Sequence, residues 1–356
     1  MTTIDVKAEG RSAREVLAWS RAAVEPTLRA AVDTLPPSMR RIATYHFGWC
    51  DEHGQRYMAP KKGTENGKGA GGKAIRPTLA LLSAQAVGGA ATAAVPAAAA
   101  VELVHNFSLV HDDVLDGDLT RRHRRTAWNV FGVKAAILAG DALLTLALDV
   151  LAACGHPAAT DGTRMLSAAV QALIDGQSAD LDLEHRSQVD LLECVSMAEG
   201  KTGALIECAC VVGAAFGGGS PQQLECLRGF GAHLGLAFQH VDDLLGIWGD
   251  PAVTGKPVNS DVRSRKKSLP VVAALTSGTP AGSELAELYQ RETPLSDTEL
   301  AHAADLIDIA GGRDWSQTQV DDLLVQAMRE LEAASPNPRA ARELGSLARL
   351  ATHRYS

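Results

Sequence analysis

The chain has 356 residues and a formal net charge of −8, with 46% hydrophobic but only 4% aromatic residues. The negative charge argues against general nucleic-acid binding, and the scarcity of aromatic residues beside alanine-rich runs favours close-packed helices over sheets. Stable membrane insertion is not expected, because the longest apolar stretch, near 84–103, is built largely from Ala and Gly and contains Pro96.

The first predicted region, residues 1–60, is an N-terminal helical extension packed on a bundle formed by residues 61–356, with the chain a single domain overall. Its polar start lacks the apolar core of a signal peptide, and the six cysteines form no CxxC pair. We therefore expect reduced thiols and a cytoplasmic protein. The segment 45–56, YHFGWCDEHGQR, predicts either an aromatic cluster that pins the extension to the bundle or a lid.

Helical periodicity recurs along the whole chain, whereas alternating strand patterns are rare. Clusters of Gly and Pro at 36–38, 155–162, 217–221, 249–257 and 277–283 predict breaks short enough for antiparallel neighbours. The predicted fold class is all-α, an antiparallel helix bundle. The predicted helices are 16–35, 78–87, 96–115, 135–153, 163–174, 191–216, 221–245, 269–275, 298–310 and 315–334.

The glycine loop 67–77, GKGAGGKAIRP, comes within one residue of a phosphate-binding P-loop. Ala74 replaces the hydroxyl residue that would hold magnesium, and no strand precedes the glycines. A nucleotide hydrolase is therefore excluded. The loop instead delivers Lys73 and Arg76 to a helix that starts near Pro77, and those two cations require an anion.

The first acidic segment follows the apolar run SLVHDD. Asp112 and Asp116 are four residues apart, which places both carboxylates on one helix face about 6 Å apart. Two anions held this close repel each other unless a cation bridges them, and hard oxygen ligands without Cys or His indicate magnesium.

The second acidic segment, LAFQHVDD, ends with Asp242 and Asp243, but Gly246 stands where a third acid would follow. Concentrated cations follow both segments. Acids, magnesium and basic side chains together are how proteins hold a diphosphate. The cations are Arg121, Arg122, Arg124 and Arg125 after the first segment, and Lys256, Arg263, Arg265, Lys266 and Lys267 after the second.

This ordered set of motifs resembles the trans-isoprenyl diphosphate (polyprenyl) synthase family from about residue 71 to the C-terminus. The resemblance implies the isoprenoid synthase fold, an all-α bundle around a deep central cavity, and a homodimer. The motifs are GGKxxRP at 71–77, ELxHxxSLxHDDxxD at 102–116, RR at 121–122, GD at 140–141, GQ at 176–177, KT at 201–202, FQxxDD at 238–243, GKP at 255–257 and KK at 266–267.

The resemblance also implies a role for each matching residue. Asp112 and Asp116 would hold two of three Mg²⁺ ions on an allylic diphosphate and Asp242 the third, with Asp113 and Asp243 supporting them. Residues implied to bind that allylic diphosphate are Arg121, Lys201, Lys256 and Gln239. Thr202 and Lys266 are further implied substrate-binding residues. Residues implied to bind the diphosphate of isopentenyl diphosphate are Lys73, Arg76, His105 and Arg122. The catalytic set is Asp112, Asp116, Arg121, Lys201, Asp242 and Lys256.

The implied reaction is ionisation of the allylic substrate, attack by the isopentenyl double bond and loss of a proton, with no side-chain nucleophile. Phe107 and Ser108, just before the first acids, are the implied chain-length residues. A bulky residue five positions before Asp112, with two residues inside DDxxD, favours the C20 product, geranylgeranyl diphosphate. Farnesyl and longer diphosphates are the alternatives.

Some positions depart from the family pattern: Gly246, Ala74, and His123 with Arg125 after the arginine pair. A class I terpene cyclase on the same fold is therefore a second alternative, although such an enzyme has no use for Lys73, Arg76 and His105. A non-catalytic partner subunit is a third, but the intact first DDxxD argues against it.

Overall fold

The computed structural model describes residues 10–56, 74–186, 188–251, 257–291 and 293–352. Over these residues the protein is helical apart from one short antiparallel ribbon and an isolated β-bridge, which confirms the all-α fold class. The helices are α1 Ala13–Asp33, α2 Pro37–His46, α3 Ile75–Ala86, α4 Val95–Leu115, α5 Ala127–Phe131, α6 Val133–Ala153, α7 Ala159–His185, α8 Leu191–Ala198, α9 Ala204–Phe216, α10 Pro221–Trp248, α11 Ser260–Arg263, α12 Leu269–Leu275, α13 Pro280–Gln290, α14 Asp297–Ile309, α15 Gly312–Ala333 and α16 Pro338–Thr352. A 3₁₀ turn, Ala91–Ala94, precedes α4, and a π-helical turn, Glu199–Gly203, joins α8 to α9. The ribbon strands are β1 Thr120–Arg121 and β2 Arg124–Arg125.

Every predicted helix is present, but two short helices, α5 and α11, and three longer ones, α2, α13 and α16, were not predicted. The three longer helices all begin at a proline, namely Pro37, Pro280 and Pro338. Proline costs nothing at the first helical position, where its missing N–H would have no partner. At α13 the Thr279 side chain also accepts from Gly282 N at 3.1 Å, which caps the new helix. The predicted breaks at 36–38 and 277–283 are therefore partly helix starts.

The chain divides into two compact units. The first comprises Met1–Ser167, Val211–Ser220 and Asn337–Glu343. In it α4 is the central helix, packed against α1, α3 and α6, and the buried alanines of 97–100 allow close approach. Helix α1 packs directly on this core, as the predicted N-terminal extension would. The boundary at residue 60 lies outside the described residues and stays a prediction.

The second unit comprises Ala168–Cys210, Pro221–Pro336 and Leu344–Ser356. Its longest helix, α10, packs along α15. Between these helices the His240 ring lies edge-on to Trp315 and 3.3 Å from Ser316 Oγ. Burial lowers the pKa of His240 to about 4, so the ring is neutral and acts as a packing element of α10.

Two described stretches, 91–115 and 133–153, are long and apolar enough to cross a membrane by length and composition alone. The first is 67% buried inside the protein, as expected for a core helix, and the second 39%. A buried core helix passes this test as readily as a membrane span, so the two stretches are weak evidence for insertion.

Candidate active site

The carboxylates of Asp112 and Asp116 lie one turn apart at the C-terminal end of α4. Asp116 caps the helix, and its backbone N–H donates to the Asp112 carbonyl at 2.8 Å. Asp112 is half-buried and Asp116 is exposed. Because a helix C-terminus already carries partial negative charge, two carboxylates there are unfavourable unless a cation joins them. Their placement supports the predicted metal site.

The carboxylate of Asp113 is only 1% exposed. Its Oδ1 accepts from Arg121 Nε at 2.6 Å, while Oδ2 is buried and has no hydrogen-bond partner within the described residues. Burial raises the pKa of Asp113 to about 6, although Arg121 opposes this shift. An acceptor left open beside two carboxylates fits a hydrated cation, so the donor set suits Mg²⁺.

No three His, Cys, Asp or Glu side chains of the described residues form a ready-made metal cage. A metal at Asp112 and Asp116 would therefore complete its coordination with water and substrate oxygens. Mg²⁺ does so at phosphate sites, where one or two carboxylates suffice.

The ribbon after α4 carries the arginines that were predicted to bind diphosphate. Arg121 pairs with Arg124 across the ribbon, and the two residues between them, Arg122 and His123, have φ of 52° and 62°. A two-residue hairpin turn needs positive φ at both positions, which glycine and asparagine adopt most readily. Two larger side chains here cost roughly 1 kcal/mol each, and such strain is typical of functional segments.

A pocket of about 330 Å³, part of it open to solvent, lies between this ribbon and the end of α2 in the first unit. The lining residues are Tyr45, His46, Asp113, Arg121, Arg122, Arg124, Arg125, Thr126 and Ala127.

The residues predicted to bind isopentenyl diphosphate come together in the first unit. Arg76 Nη1 lies 3.4 Å from His105 Nε2. Burial, followed by Arg76 and Arg122, holds the pKa of His105 well below its usual value, so its ring is neutral. Burial raises the pKa of Glu102, and the same two arginines oppose that shift. Lys73, the fourth predicted residue, lies outside the described residues.

The aromatic segment 45–56, which begins in the last turn of α2, anchors the second half of the ribbon. Tyr45 Oη donates to the Arg125 carbonyl at 2.8 Å, and Arg124 Nη1 donates to the Tyr45 carbonyl at 3.0 Å. The Tyr45 ring also stacks under the Arg124 guanidinium and meets Phe131 edge-to-face. These contacts support the interpretation of the segment as an aromatic cluster that holds the N-terminal extension in place, rather than as a lid.

In the second unit, Lys201 lies in the π-helical turn and its Nζ donates to Asp180 Oδ2. The glycine of the GQ motif makes this possible, because a Cβ on Gly176 would lie 2.2 Å from the Lys201 backbone nitrogen. Thr202 Oγ1 donates to Gln239 Oε1 at 2.5 Å. Thr202, a predicted substrate-binding residue, therefore joins the turn that carries Lys201 to Gln239 on α10. Lys256 lies outside the described residues.

The two acids of the second segment differ in environment. Asp242 is exposed, whereas Asp243 is buried and accepts hydrogen bonds on both oxygens, from Gln239 Nε2 at 2.6 Å and from the Leu269 backbone at 2.9 Å. Lys266 lies close enough to lower the pKa of Asp243. Asp243 thus joins α10 to the first turn of α12, whereas the Asp242 carboxylate lies at the surface.

The contribution of Asp243 to stability without metal should fall as pH rises from about 4 to about 7. Burial raises the pKa of Asp243 to about 7, against the opposing effect of Lys266. The folded chain therefore keeps a proton that the unfolded chain releases, and stability is lost as pH rises through this window. Urea unfolding in EDTA across these pH values should show a flatter slope for Asp243→Asn. Equal slopes for the two proteins would mean that Asp243 titrates normally.

Gly246, the position that lacks its acid, has a carboxylate beside it. A Cβ on Gly246 would lie 2.2 Å from Asp261 Oδ2, and Ser260 Oγ donates to the Gly246 carbonyl at 3.1 Å. The start of α11 therefore fills the space that a longer side chain at 246 would enter.

Gly246→Ala should destabilise the protein by about 1–3 kcal/mol, because the new methyl group must displace the Asp261 carboxylate. Urea denaturation measures the change. The same substitution in an Asp261→Ala background should cost much less, since the obstructing group is gone. Equal costs in the two backgrounds would contradict this explanation.

Phe107 and Ser108 lie on α4 one turn before Asp112, and both are buried. The Phe107 ring meets His111 edge-to-face at 4.8 Å, and Ser108 Oγ donates to the His105 carbonyl at 2.9 Å. His111 in turn lies 3.0 Å from the Ile137 carbonyl on α6. The two predicted chain-length residues are therefore part of the α4–α6 packing below the first acids.

Several residues of the site were not predicted from the sequence: Tyr45, His46, Asp180 and Asp261. Asp180 could have been found, because it follows Gln177 by three residues on one helix face. The others meet their partners across long stretches of chain, and no local pattern indicates them.

The chain is similar to known proteins over nearly its whole length, well beyond the individual motifs. Residues 62–307 match the family model described as polyprenyl synthetase. The (2E,6E)-farnesyl diphosphate synthase of Mycobacterium tuberculosis is 46% identical over 94% of this chain and 91% of its own. The geranylgeranyl diphosphate synthase of the same species is 40% identical over 91% and 90%.

Solved structures give the same result. A polyprenyl synthetase from Streptomyces coelicolor A3(2) has a TM-score of 0.88 at 47% identity, over 95% of this chain and 98% of that one. A geranylgeranyl pyrophosphate synthetase from Pyrococcus horikoshii Ot3 has a TM-score of 0.83 at 29% identity, over 96% and 98%. The likeness therefore includes segments outside the matched residues 62–307.

Proposed function

Since the chain belongs to the polyprenyl synthetase family and is a trans-prenyltransferase, we propose that it condenses isopentenyl diphosphate with allylic diphosphates in a Mg²⁺-dependent reaction. We propose further that the main product is all-trans geranylgeranyl diphosphate. One observation carries the proposal: the paired carboxylates of Asp112 and Asp116 end α4 directly before an arginine ribbon that lines a pocket. An anion bound there would have both a cation site and arginines within the first unit.

The proposed metal residues are the carboxylates of the two acidic segments that are exposed or half-buried. Asp112 and Asp116 would hold two Mg²⁺ ions and Asp242 a third, while Asp113 and Asp243 hold Arg121 and the start of α12 in place. When bound, Mg²⁺ would neutralise negative charge on the departing diphosphate.

The side chains of the protein bind and orient the two substrates and exclude water. Arg121 and Lys201, each paired with a buried carboxylate, would donate to the allylic diphosphate, with Thr202, Gln239, Lys256 and Lys266 as further contacts. Arg76, His105, Arg122 and Lys73 hold the second diphosphate, so that the isopentenyl double bond meets the ionising carbon. The proton lost afterwards passes to the released diphosphate, so this step needs no side-chain base.

The C20 product is supported by the bulky Phe107 five residues before Asp112, with the small Ser108 next to it. Farnesyl diphosphate is the second candidate, because a relative of that name is 46% identical over 94% of the chain. The two products differ by a single C5 addition, so the depth of the cavity beside Asp112 and Asp116 would decide between them.

The test is incubation of purified protein with Mg²⁺, labelled isopentenyl diphosphate and, in turn, dimethylallyl, geranyl or farnesyl diphosphate, with products separated by chain length. The proposal predicts incorporation of label, with C20 as the main product. A C15 product would replace geranylgeranyl by farnesyl diphosphate. Hydrocarbon formed without isopentenyl uptake would overturn the synthase and leave a terpene cyclase.

A homodimer is part of the proposal, and the outer face of α6 supports it. Val133, Ile137 and Leu138 are 44%, 39% and 56% exposed within two turns of this long apolar helix, and a cluster of exposed aliphatic side chains suits an interaction surface. Sedimentation velocity should show a dimer for the wild-type protein and a shift toward monomer for Leu138→Glu. A monomeric wild-type protein would contradict the assembly.

A further inference from the structure

His46 is the last residue of α2, and its ring lines the arginine pocket of the first unit. Its Nε2 atom is buried and has no hydrogen-bond partner in the part of the chain that the structure describes. A buried polar nitrogen without a partner costs free energy, so native proteins rarely keep one unless water or a ligand satisfies it. The ring therefore indicates a polar group that belongs inside the pocket.

The surrounding charges indicate that this group is an anion. Four arginines line the pocket, against the single carboxylate of Asp113 among its lining residues. Arg121 is already paired with that carboxylate at 2.6 Å. The remaining excess of positive charge is what a diphosphate would neutralise.

The ring can serve as a donor in this pocket. Burial, followed by Arg122 and Arg121, lowers the pKa of His46 to about 3, so the ring is neutral and one nitrogen carries a proton. Asn106, whose amide donates to the Glu102 carbonyl at 2.7 Å, lies within hydrogen-bonding reach of the ring and raises the pKa of His46 against these effects. His46 thus has a fixed position beside the pocket without adding a charge to it.

We propose that His46 is a further binding residue for the diphosphate of isopentenyl diphosphate and that its Nε2 donates a hydrogen bond to it. The assignment to this substrate rests on the proposed function and on the neighbours of the ring. Both His46 and His105 interact electrostatically with Arg122, which belongs to the predicted isopentenyl diphosphate set.

The proposal gives the N-terminal helices a role in substrate binding. Tyr45 fixes the end of α2 to the ribbon through Arg124 and Arg125, so the ring of the next residue, His46, is held in register with the arginines. The segment that anchors the N-terminal extension therefore also supplies a substrate-binding residue, His46.

The test compares three substitutions at residue 46 by equilibrium binding of isopentenyl diphosphate alone, which has no partner to react with, and by steady-state kinetics. His46→Phe keeps a ring but removes both nitrogens. His46→Gln places an amide N–H near the position of Nε2, and His46→Asn places one near Nδ1. His53→Phe, on the exposed part of the same segment, is the matched control.

We expect His46→Phe to weaken isopentenyl diphosphate binding about 10-fold or more, as for a lost hydrogen bond to a charged group. KM for this substrate should rise, whereas KM for the allylic substrate should stay close to that of the wild type. His46→Gln should restore most of the affinity, and His46→Asn should restore little. The control should bind as the wild type does.

Unchanged affinity in His46→Phe while the wild type condenses both substrates would overturn the role of His46 alone. Absence of isopentenyl diphosphate binding and incorporation in the wild type would overturn the proposed function itself. If His46→Phe fails to fold, the Gln and Asn variants decide, because equal affinities in these two contradict a donor at the Nε2 position.

Discussion

Asp112→Asn should lower kcat at least about 100-fold, the scale on which loss of one preorganised charge-stabilising group acts. The substitution keeps the shape of the side chain but removes the negative charge. It leaves the end of α4 with only the exposed Asp116 and the Arg121-paired Asp113. Neither can replace a carboxylate that faces the proposed metal.

The measurement is steady-state turnover of labelled isopentenyl diphosphate over a range of Mg²⁺ concentrations. The half-saturating Mg²⁺ concentration should rise in Asp112→Asn, because the lost charge weakens metal binding as well as catalysis. Asp305→Asn on α14, an exposed acid remote in sequence from both acidic segments, is the matched control and should leave both quantities unchanged. Turnover above a tenth of the wild-type value in Asp112→Asn would contradict a metal role for this residue.

The fold class and the motif residues could be predicted because both depend on local sequence. Periodicity indicated α1, α4, α6 and α10, and the spacing of four between Asp112 and Asp116 placed both on one helix face. Pro/Gly clusters were interpreted as breaks, although proline at the first position of a helix satisfies the same composition. That ambiguity explains why α2 and α13 were missed.

The remainder of the site depends on contacts between distant parts of the chain. Tyr45 and Arg124 are far apart in sequence, yet a hydrogen bond and a ring stacking join them. Asp261 fills the space beside Gly246 only because α11 returns to α10. No spacing rule predicts either pair, since each depends on tertiary packing.

The ribbon shows the same limit in another form. Its strands are two residues each, too short for an alternating pattern, and its turn residues are Arg122 and His123 rather than the usual Asn-Gly. Sequence rules for hairpins therefore miss it. The strain in the turn is explained by the pocket that the ribbon lines and not by local preference.

Phe107→Ala should lengthen the main product by at least one C5 unit. The Phe107 ring is buried one turn before Asp112, where it packs on His111. A chain growing away from the acids would meet this ring, so its removal opens space for further additions. Ser108→Phe should act in the opposite direction and shorten the product.

Chain-length analysis of the products from a single allylic starter measures both effects. Truncating a buried phenylalanine also costs about 3–5 kcal/mol of stability, so a second cavity variant is needed. Phe216→Ala removes a fully buried ring at the end of α9 that stacks on His156; it should lose similar stability while keeping the wild-type product. An unchanged product distribution in Phe107→Ala, or an equal shift in Phe216→Ala, would show that the ring of Phe107 does not limit the growing chain.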